Sequence, residues 1–174
     1  MVALFTRVDR EVTEADTIEL WPVYQAVFAD QPDLQTWRTA AWDKHAARDG
    51  FRWARACDDE QLVGFAYGYT GERGQWWTDR AFEVLPAGVA AAWLDGHFEV
   101  VSIGVLPQAR RRGLGRALLQ EVTRGLPHER CLLMTTSDEE EPARRMYDSD
   151  GWRVIGLGVG DDTVILAKGR PRIW

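Results

Sequence analysis

Residues 110–115, Arg-Arg-Arg-Gly-Leu-Gly, place three consecutive arginines and two glycines directly before an apolar helix pattern. The apolar residues recur at helical spacing, at Leu114, Ala117, Leu118 and Val122. The predicted helix begins close to Gly113, and the first backbone N–H groups of a helix have no partner within it and lie at the positive end of its dipole. Glycines let an anion approach these groups, and Arg116 adds further positive charge. The pattern predicts a site for a phosphate-bearing ligand.

Two other phosphate-binding patterns do not match this stretch. A P-loop requires Lys and then Ser or Thr after its last glycine, and a dinucleotide fingerprint requires a third glycine where Leu118 stands. An ordinary solvated helix start is a further alternative, but arginines there would be repelled by the helix dipole. The remaining pattern, Gln/Arg-x-x-Gly-x-Gly/Ala after a strand and Pro107, is satisfied by residues 110–115.

Composition limits the classes of protein to consider. The chain has 174 residues and a net charge of −6, which predicts one domain over residues 1–174 and opposes binding to nucleic acid or to an anionic membrane. Neither a signal peptide nor a membrane span is expected, because the chain contains no long apolar run. Two separated cysteines read as reduced, which favours a cytoplasmic location. The three histidines show no metal-ligand spacing, so no metal is expected.

Hydrophobic periodicity and turn residues predict alternating helices and strands around a central mixed sheet, and thus an α/β protein. Strands are predicted at 3–8, 51–57, 62–70, 98–105, 131–136, 152–159 and 163–167. Helices are predicted after Thr13, at 33–48, from Gly113 to about Gly125, and through Ala143 and Tyr147. The first helix carries an apolar face of Ile18, Trp21, Tyr24, Val27 and Phe28, although Pro22 should kink or delay it. Residues 71–97 read as an irregular insertion with one small helix.

A second motif accompanies the arginine loop. Residues 142–147, Pro-Ala-Arg-Arg-Met-Tyr, are followed by Gly151-Trp152, and this segment is similar to Ala-x-x-Leu-Tyr…Gly-Phe/Trp. With both motifs in this order, the chain resembles the GNAT superfamily of N-acyltransferases over nearly its whole length. The resemblance implies an α+β single-domain fold whose mixed, mostly antiparallel sheet has about seven strands and about four flanking helices.

The resemblance also implies acetyl-CoA as cosubstrate. In such proteins the backbone amides of the loop bind the pyrophosphate, the arginine side chains assist, and an N–H near the end of the long strand polarises the thioester carbonyl. The residues implied for these contacts are Val105, Arg110, Arg111, Arg112, Gly113, Leu114, Gly115 and Arg116. Gly104 suits a close approach at the same strand end.

Two side chains are predicted to be catalytic. Tyr147 is neutral at pH 7 and can give a proton or a hydrogen bond to the departing thiolate, although packing alone would also explain an aromatic residue there. Glu99 interrupts an apolar strand face, so it is either a buried base for the amine or a solvent-facing residue at a frayed strand start. His97 is a weaker substitute. Glu140 departs from the asparagine that many family members carry, so a contact between Glu140 and the cofactor is not expected.

The acceptor is predicted to be a primary amine of a small molecule, attacked directly in a ternary complex. Trp76, Trp77 and Trp93 are candidates for an aromatic wall that attracts a cationic amine, with core packing as the alternative. A protein or peptide amine, at an N-terminus or a lysine, is the second candidate acceptor. A non-catalytic acyl-CoA-binding module is a further alternative to both acetyltransferase predictions. A homodimer is compatible with each of these three functions.

Overall fold

The computed structural model describes residues 4–8 and 11–173, so Ala3, the predicted start of the first strand, lies outside the described residues. The strands are β1 Leu4–Val8, β2 Arg52–Asp58, β3 Gln61–Gly71, β4 His97–Val105, β5 Arg130–Thr136, β6 Arg153–Leu157 and β7 Thr163–Gly169. The helices are α1 Glu14–Phe28, α2 Leu34–Trp37, α3 Asp43–Ala46, α4 Trp76–Val84, α5 Ala87–Trp93, α6 Leu114–Thr123 and α7 Pro142–Ser149.

The strands follow the order β1-β2-β3-β4-β5-β7-β6 in a seven-stranded sheet. The pairs β1–β2, β2–β3, β5–β7 and β6–β7 are antiparallel, and β4–β5 is parallel. The predicted mixed, mostly antiparallel sheet is therefore confirmed. The described residues contain more helical segments than the four or so that were expected, and no helix among them is long and apolar enough to span a membrane.

The chain divides into two compact units, of which the first contains the residues up to Tyr69 together with Ser102–Arg124. Its helix α1 begins where the sequence predicts, because Thr13 and Asp16 form a reciprocal capping box. The helix runs through Pro22 and does not begin late. Its predicted apolar face is partly wrong, since Ile18 is 56 % exposed while Leu20 is fully buried.

A π-helical turn, Arg38–Trp42, joins α2 to α3. It accounts for the burial of Trp42, which regular helical spacing does not predict. Trp37 and Trp42 are five residues apart, and their stacked ring centroids lie 5.1 Å apart, with both side chains fully buried. A regular α-helix places neighbours three or four residues apart on one face, whereas the wider π turn brings residues five apart together. The helical segment itself lies within the predicted residues 33–48.

The second unit contains Thr70–Val101 and the residues from Gly125 onward. The predicted irregular insertion is wrong, because residues 71–97 form two helices, α4 and α5. These helices pack into a core cluster whose buried members are Trp77, Ala81, Leu85, Ala90, Trp93, Leu94, Leu132, Ile165 and Ala167. Pro86 separates the two helices, and the apolar residues on both sides of it supply the packing face.

We predict that Gly104→Ala destabilises the protein. A Cβ at Gly104 would lie 2.7 Å from Cε1 of Phe65, which is fully buried, and 3.3 Å from Cγ1 of Val27, which is half-buried. Overpacking of this kind lowers the free energy of unfolding by about 1–3 kcal/mol. Gly88→Ala is the matched control, since a Cβ at Gly88 in α5 meets no atom within 4 Å. Urea denaturation checks both, and equal stability of the two variants would contradict the close approach.

Candidate active site

The start of α6 is a helix N-terminus without a side-chain cap. The N-cap residue is Gly113, with φ 78° and ψ 4° in the left-handed region, and no side chain hydrogen-bonds to the first turn. Arg111, two residues earlier, also has a positive φ of 63°. A Cβ built at Gly113 would meet no heavy atom within 4 Å, so the space before the helix is open. The first N–H groups of α6 therefore have no intrahelical partner and are accessible to an anion.

Apolar packing fixes the position of this helix start. Ala109 and Leu114, on either side of the arginines, are buried together against partly buried Phe5, Val63, Val105 and Leu106. The N–H of Leu106 donates to the carbonyl of Val63 at 2.9 Å, which ties the end of β4 to β3. A Cβ at Gly64 would lie 3.1 Å from Cδ1 of Leu118, so α6 approaches the sheet closely. The loop is held on both of its flanks.

Two of the loop arginines contact the protein itself. Arg110 donates through Nε to the carbonyl of Val105 at 3.1 Å, and Arg112 Nη1 lies 2.8 Å from Oδ2 of Asp58. The side chains of Arg111 and Arg116 are exposed. Arg110 therefore ties the loop to the end of β4, and Arg112 is already partly neutralised. The uncapped amides, the open space at Gly113 and the exposed arginines fit the diphosphate of a coenzyme A molecule.

The predicted catalytic residues lie in the second unit, and both are buried. Tyr147 on α7 is 8 % exposed, its ring centroid lies 6.2 Å from that of Trp152 in an edge-on arrangement, and burial raises its pKa to about 12. Its hydroxyl is therefore protonated throughout the neutral range. Glu99 on β4 is 5 % exposed and pairs with Leu132 of β5 in the sheet register. The structure thus agrees with the buried alternative for Glu99, whereas its role as a base stays a prediction.

His97, the weaker substitute for a base, is fully buried at the start of β4. Burial, and secondarily the charge of Arg130, lowers its pKa to about 3, so its imidazole is neutral near pH 7 and too weak a base to hold a proton there. Its ring centroid lies 5.8 Å from that of Trp77. Full burial and the contact with Trp77 are typical of a histidine packed in the core.

The three tryptophans predicted to bind the acceptor have different environments. Trp77 and Trp93 are 8 % and 6 % exposed within the core cluster of the second unit, while Trp76 is 65 % exposed. Burial of this kind is what core packing requires. The acceptor-binding role of the three residues remains a prediction.

Arg144 on α7 is a buried charged residue to which the sequence analysis gave no role. It is 5 % exposed, its Nη2 lies 3.4 Å from Oδ1 of Asp148, and its Nε and Nη1 are buried without a hydrogen-bond partner among the described residues. Its spacing of three residues from Tyr147 places both on one side of the helix. The spacing in the sequence therefore indicated that Arg144 is buried, because a helix face that buries Tyr147 also buries the residue three positions before it.

Comparison with known families places the chain in one of them. The model of the Acetyltransferase (GNAT) family matches residues 17–152, which is more than half of the chain. The chain therefore belongs to the GNAT family of acetyltransferases. Among the described residues, no group of three or more His, Cys, Asp or Glu side chains is arranged to hold a metal ion.

Curated relatives match part of the chain. A GCN5-like protein acetyltransferase of Mycobacterium tuberculosis is 34 % identical in an alignment of 119 residues that covers 63 % of this chain and 58 % of the relative. A mycothiol acetyltransferase of Acidothermus cellulolyticus is 33 % identical in an alignment of 147 residues that covers 76 % of this chain and 40 % of that protein. The matched regions thus span about half the length of these relatives.

Solved structures share the fold over nearly the whole chain. A protein assigned to the GNAT family, from Desulfovibrio desulfuricans, superposes with a TM-score of 0.67 at 21 % identity, covering 97 % of this chain and 99 % of its own. A PaiA N-acetyltransferase from Thermoplasma acidophilum, solved in complex with coenzyme A, has a TM-score of 0.60 at 14 % identity, with coverage of 97 % and 99 %. At these identities the likeness shows the fold.

We predict that Gly113→Trp abolishes coenzyme A binding. The indole would fill the open space in front of the uncapped amides and remove several charge-assisted hydrogen bonds, each worth about 1.5–3 kcal/mol, so the dissociation constant should rise by about 100-fold or more. Isothermal titration calorimetry with coenzyme A measures this.

The control variant is Gly125→Trp, since Gly125 also has a positive φ, of 63°, and open space at its Cβ. It imposes a similar backbone strain at a site outside the arginine loop and should leave the affinity unchanged. Normal affinity in Gly113→Trp would refute the assignment of the loop.

Proposed function

We propose that this protein is an N-acetyltransferase that moves an acetyl group from acetyl-CoA to an amine. The observation that carries the proposal is the uncapped start of α6 at Gly113, preceded by three arginines, in a chain of the GNAT family. A local anion site is needed because the net charge of −6 gives no general attraction for a phosphate-bearing ligand. The relatives described above are named as acetyltransferases, which supports the same reaction class.

The first unit would bind the cosubstrate. The backbone amides from Arg111 to Gly115 donate to the diphosphate oxygens, and the exposed side chains of Arg111 and Arg116 add positive charge. Arg110 acts by a different route, because its bond to the Val105 carbonyl fixes the loop against the end of β4. The N–H near Val105 is the proposed hydrogen-bond donor to the thioester oxygen.

The proposed reaction is a direct acyl transfer. Acetyl-CoA supplies an activated acyl carbon, to which the amine nitrogen bonds while the carbon–sulfur bond breaks. Tyr147 holds its proton at Oη because burial keeps its pKa near 12. A thiol has a pKa of about 8.5, so complete transfer of that proton to a thiolate in water would be unfavourable by roughly 3–4 pKa units. Hydrogen-bond donation to the departing sulfur is therefore the role that we assign to Tyr147.

The proposed reaction also needs a base that takes a proton from the amine. An alkyl amine has a pKa of about 10.4, so its proton must leave before attack near pH 7, and the buried carboxylate of Glu99 is the proposed base, directly or through water. A cysteine nucleophile is not favoured, because burial raises the pKa of the Cys57 thiol. Neither Cys57 nor Cys131 forms a disulfide among the described residues, which supports a cytoplasmic location as part of the proposal.

The acceptor in this proposal is a primary amine of a small molecule. One specific observation favours a second candidate, an amine of a protein, because a relative that is 34 % identical is named as a protein acetyltransferase. The relative named for mycothiol is 33 % identical, so identity does not separate the two classes of acceptor.

We expect acceptor-dependent release of coenzyme A thiol from acetyl-CoA. The assay presents a panel of aminoglycosides, polyamines and amino acids beside peptides with a free N-terminus or an internal lysine. Release with a small amine alone supports the first acceptor class, and release with peptides alone supports the second. The Gly113→Trp variant is the matched control and should release none. Coenzyme A binding without release for any acceptor would favour a non-catalytic module.

The paired variants Tyr147→Phe and Glu99→Gln test the two side chains by their pH dependence. Tyr147→Phe should lower kcat by about 10- to 100-fold by a factor that stays constant from pH 7 to 10, since the pKa of Tyr147 lies near 12. Glu99→Gln should lower kcat most at pH 7 and progressively less toward pH 10, where the amine loses its own proton. Initial rates across this range give both profiles.

Each variant has an outcome that contradicts its assignment. A kcat of Tyr147→Phe equal to that of the parent protein removes Tyr147 from the mechanism. A constant deficit of Glu99→Gln at every pH assigns Glu99 a structural role instead. Coenzyme A affinity, measured by calorimetry, should be unchanged in both.

A further inference from the structure

Two arginine side chains of the second unit converge on one turn. Arg130, the first residue of β5, and Arg172, which follows β7, both donate through Nη2 to the backbone carbonyl of Asp95, Arg130 at 3.3 Å. A Cβ at Gly96 would lie 3.7 Å from Nη2 of Arg172 and 3.8 Å from Nη2 of Arg130. The two guanidinium groups are therefore neighbours.

Backbone contacts hold these arginines in place. Arg130 is paired with Gly169 in the β5–β7 register, and the N–H of Arg170 donates to the carbonyl of Glu129 at 2.9 Å. The N–H of Arg172 donates to the carbonyl of Ala92 at 2.9 Å. The main chain at both arginines is thus fixed, and their shared bond to the Asp95 carbonyl orders the side chains, which lowers the entropy cost of binding.

The two positive charges have no directly paired carboxylate among the residues that the structure describes. Among the described contacts, neither Arg130 nor Arg172 forms an ion pair with a carboxylate, and their shared acceptor is a neutral carbonyl. Arg130 is 6 % exposed, and burial, with the charge of Arg172, lowers its pKa. Two like charges that are close together and partly withdrawn from water repel each other more strongly than at an exposed surface.

The other ionisable groups described nearby do not neutralise the positive charge of this arginine pair. Asp95 and Glu129 act on Arg130 only at longer range, and Asp95 Oδ1 accepts the N–H of Arg73 at 3.3 Å. His97 is neutral, and Nε2 of His128 lies 2.9 Å from Oγ1 of Thr70. Glu129 is exposed, so water screens its charge.

A cavity of about 340 Å³ is lined by Arg130 of this pair together with Gly96, Pro127, His128 and Glu129, and Arg172 reaches it at Gly96. Its volume is in the range of small-ligand sites. Gly96 has a φ of 77° and carries no side chain, and a Cβ built there would meet only the two Nη2 atoms within 4 Å, so no other described atom stands between Gly96 and the guanidinium groups. Nε of Arg130 is buried without a hydrogen-bond partner among the described residues. A cavity, two neighbouring donors and a pair of positive charges without an ion-paired carboxylate among the described residues occur together here.

We propose that Arg130 and Arg172 form a second anion site, which binds a small ligand through a phosphate or a carboxylate group. Two guanidinium groups present several N–H donors to the oxygens of either group, with geometry that a lysine does not offer. The site belongs to the second unit and uses none of the residues of the arginine loop. It does not depend on the proposed acetyl transfer.

The test is a titration of the full chain with inorganic phosphate and, separately, with succinate, followed by ¹H–¹⁵N NMR. We expect one or both anions to shift the amide resonance of Gly96 saturably. In Arg172→Gln the dissociation constant should rise by about tenfold or more, because a hydrogen bond to a charged group is worth about 1.5–3 kcal/mol. Saturation by phosphate only, or by succinate only, identifies the group that the site selects.

Arg170→Gln is the matched control, since it removes one positive charge from an exposed residue two positions before Arg172. It should change the dissociation constant by less than about twofold. Arg172→Lys keeps the charge but loses the forked donor, and should be intermediate; it also serves if Arg172→Gln does not fold. Equal weakening by Arg170→Gln and Arg172→Gln, or a saturable shift at Gly113 without one at Gly96, would overturn the second site.

Discussion

The candidate cosubstrate site depends on one constraint, a helix that begins without a cap. A serine or aspartate before α6 would satisfy its first N–H groups from within the chain, whereas Gly113 leaves them for a ligand. An uncapped start must be held by other contacts, and the first unit supplies them through the buried Ala109 and Leu114. Arg110 adds a tie to the Val105 carbonyl. The same contacts that stabilise the loop therefore keep its amides available.

Two groups of arginines in this acidic chain differ in whether a carboxylate pairs with them. Arg112 is paired with Asp58, so its charge is partly neutralised within the protein and the pair helps to order the loop. Arg130 and Arg172 instead share a neutral carbonyl and repel each other in a partly buried place. Formal net charge describes neither group, because local pairing decides whether a charge attracts a ligand. Both proposed anion sites are thus compatible with the acidic net charge.

Local signals in the sequence predicted the elements that depend on neighbouring residues. Gly113 located the start of α6, and Thr13 with Asp16 located that of α1, because capping needs only a few adjacent residues. The apolar face of α1 was partly wrong at Ile18, since tertiary packing chooses which stripe is buried. The π turn Arg38–Trp42 brings Trp42 beside Trp37, five residues earlier, which regular α-helical periodicity does not predict. Arg130 and Arg172 are distant in sequence, so only the fold reveals their proximity.

Burial is what distinguishes the ionisable groups of the second unit, and it acts in opposite directions on acids and bases. It raises the pKa of Tyr147 from 10.0 to about 12, so the unfolded chain loses that proton first and stability falls as pH rises through this interval. It lowers the pKa of His97 from 6.5 to about 3, so the unfolded chain gains a proton first and stability falls as pH drops through that interval. Between pH 6.5 and 10 neither group opposes folding. An amine acceptor becomes more nucleophilic toward the upper end of this range, so neither His97 nor Tyr147 opposes folding at the pH that favours the proposed attack.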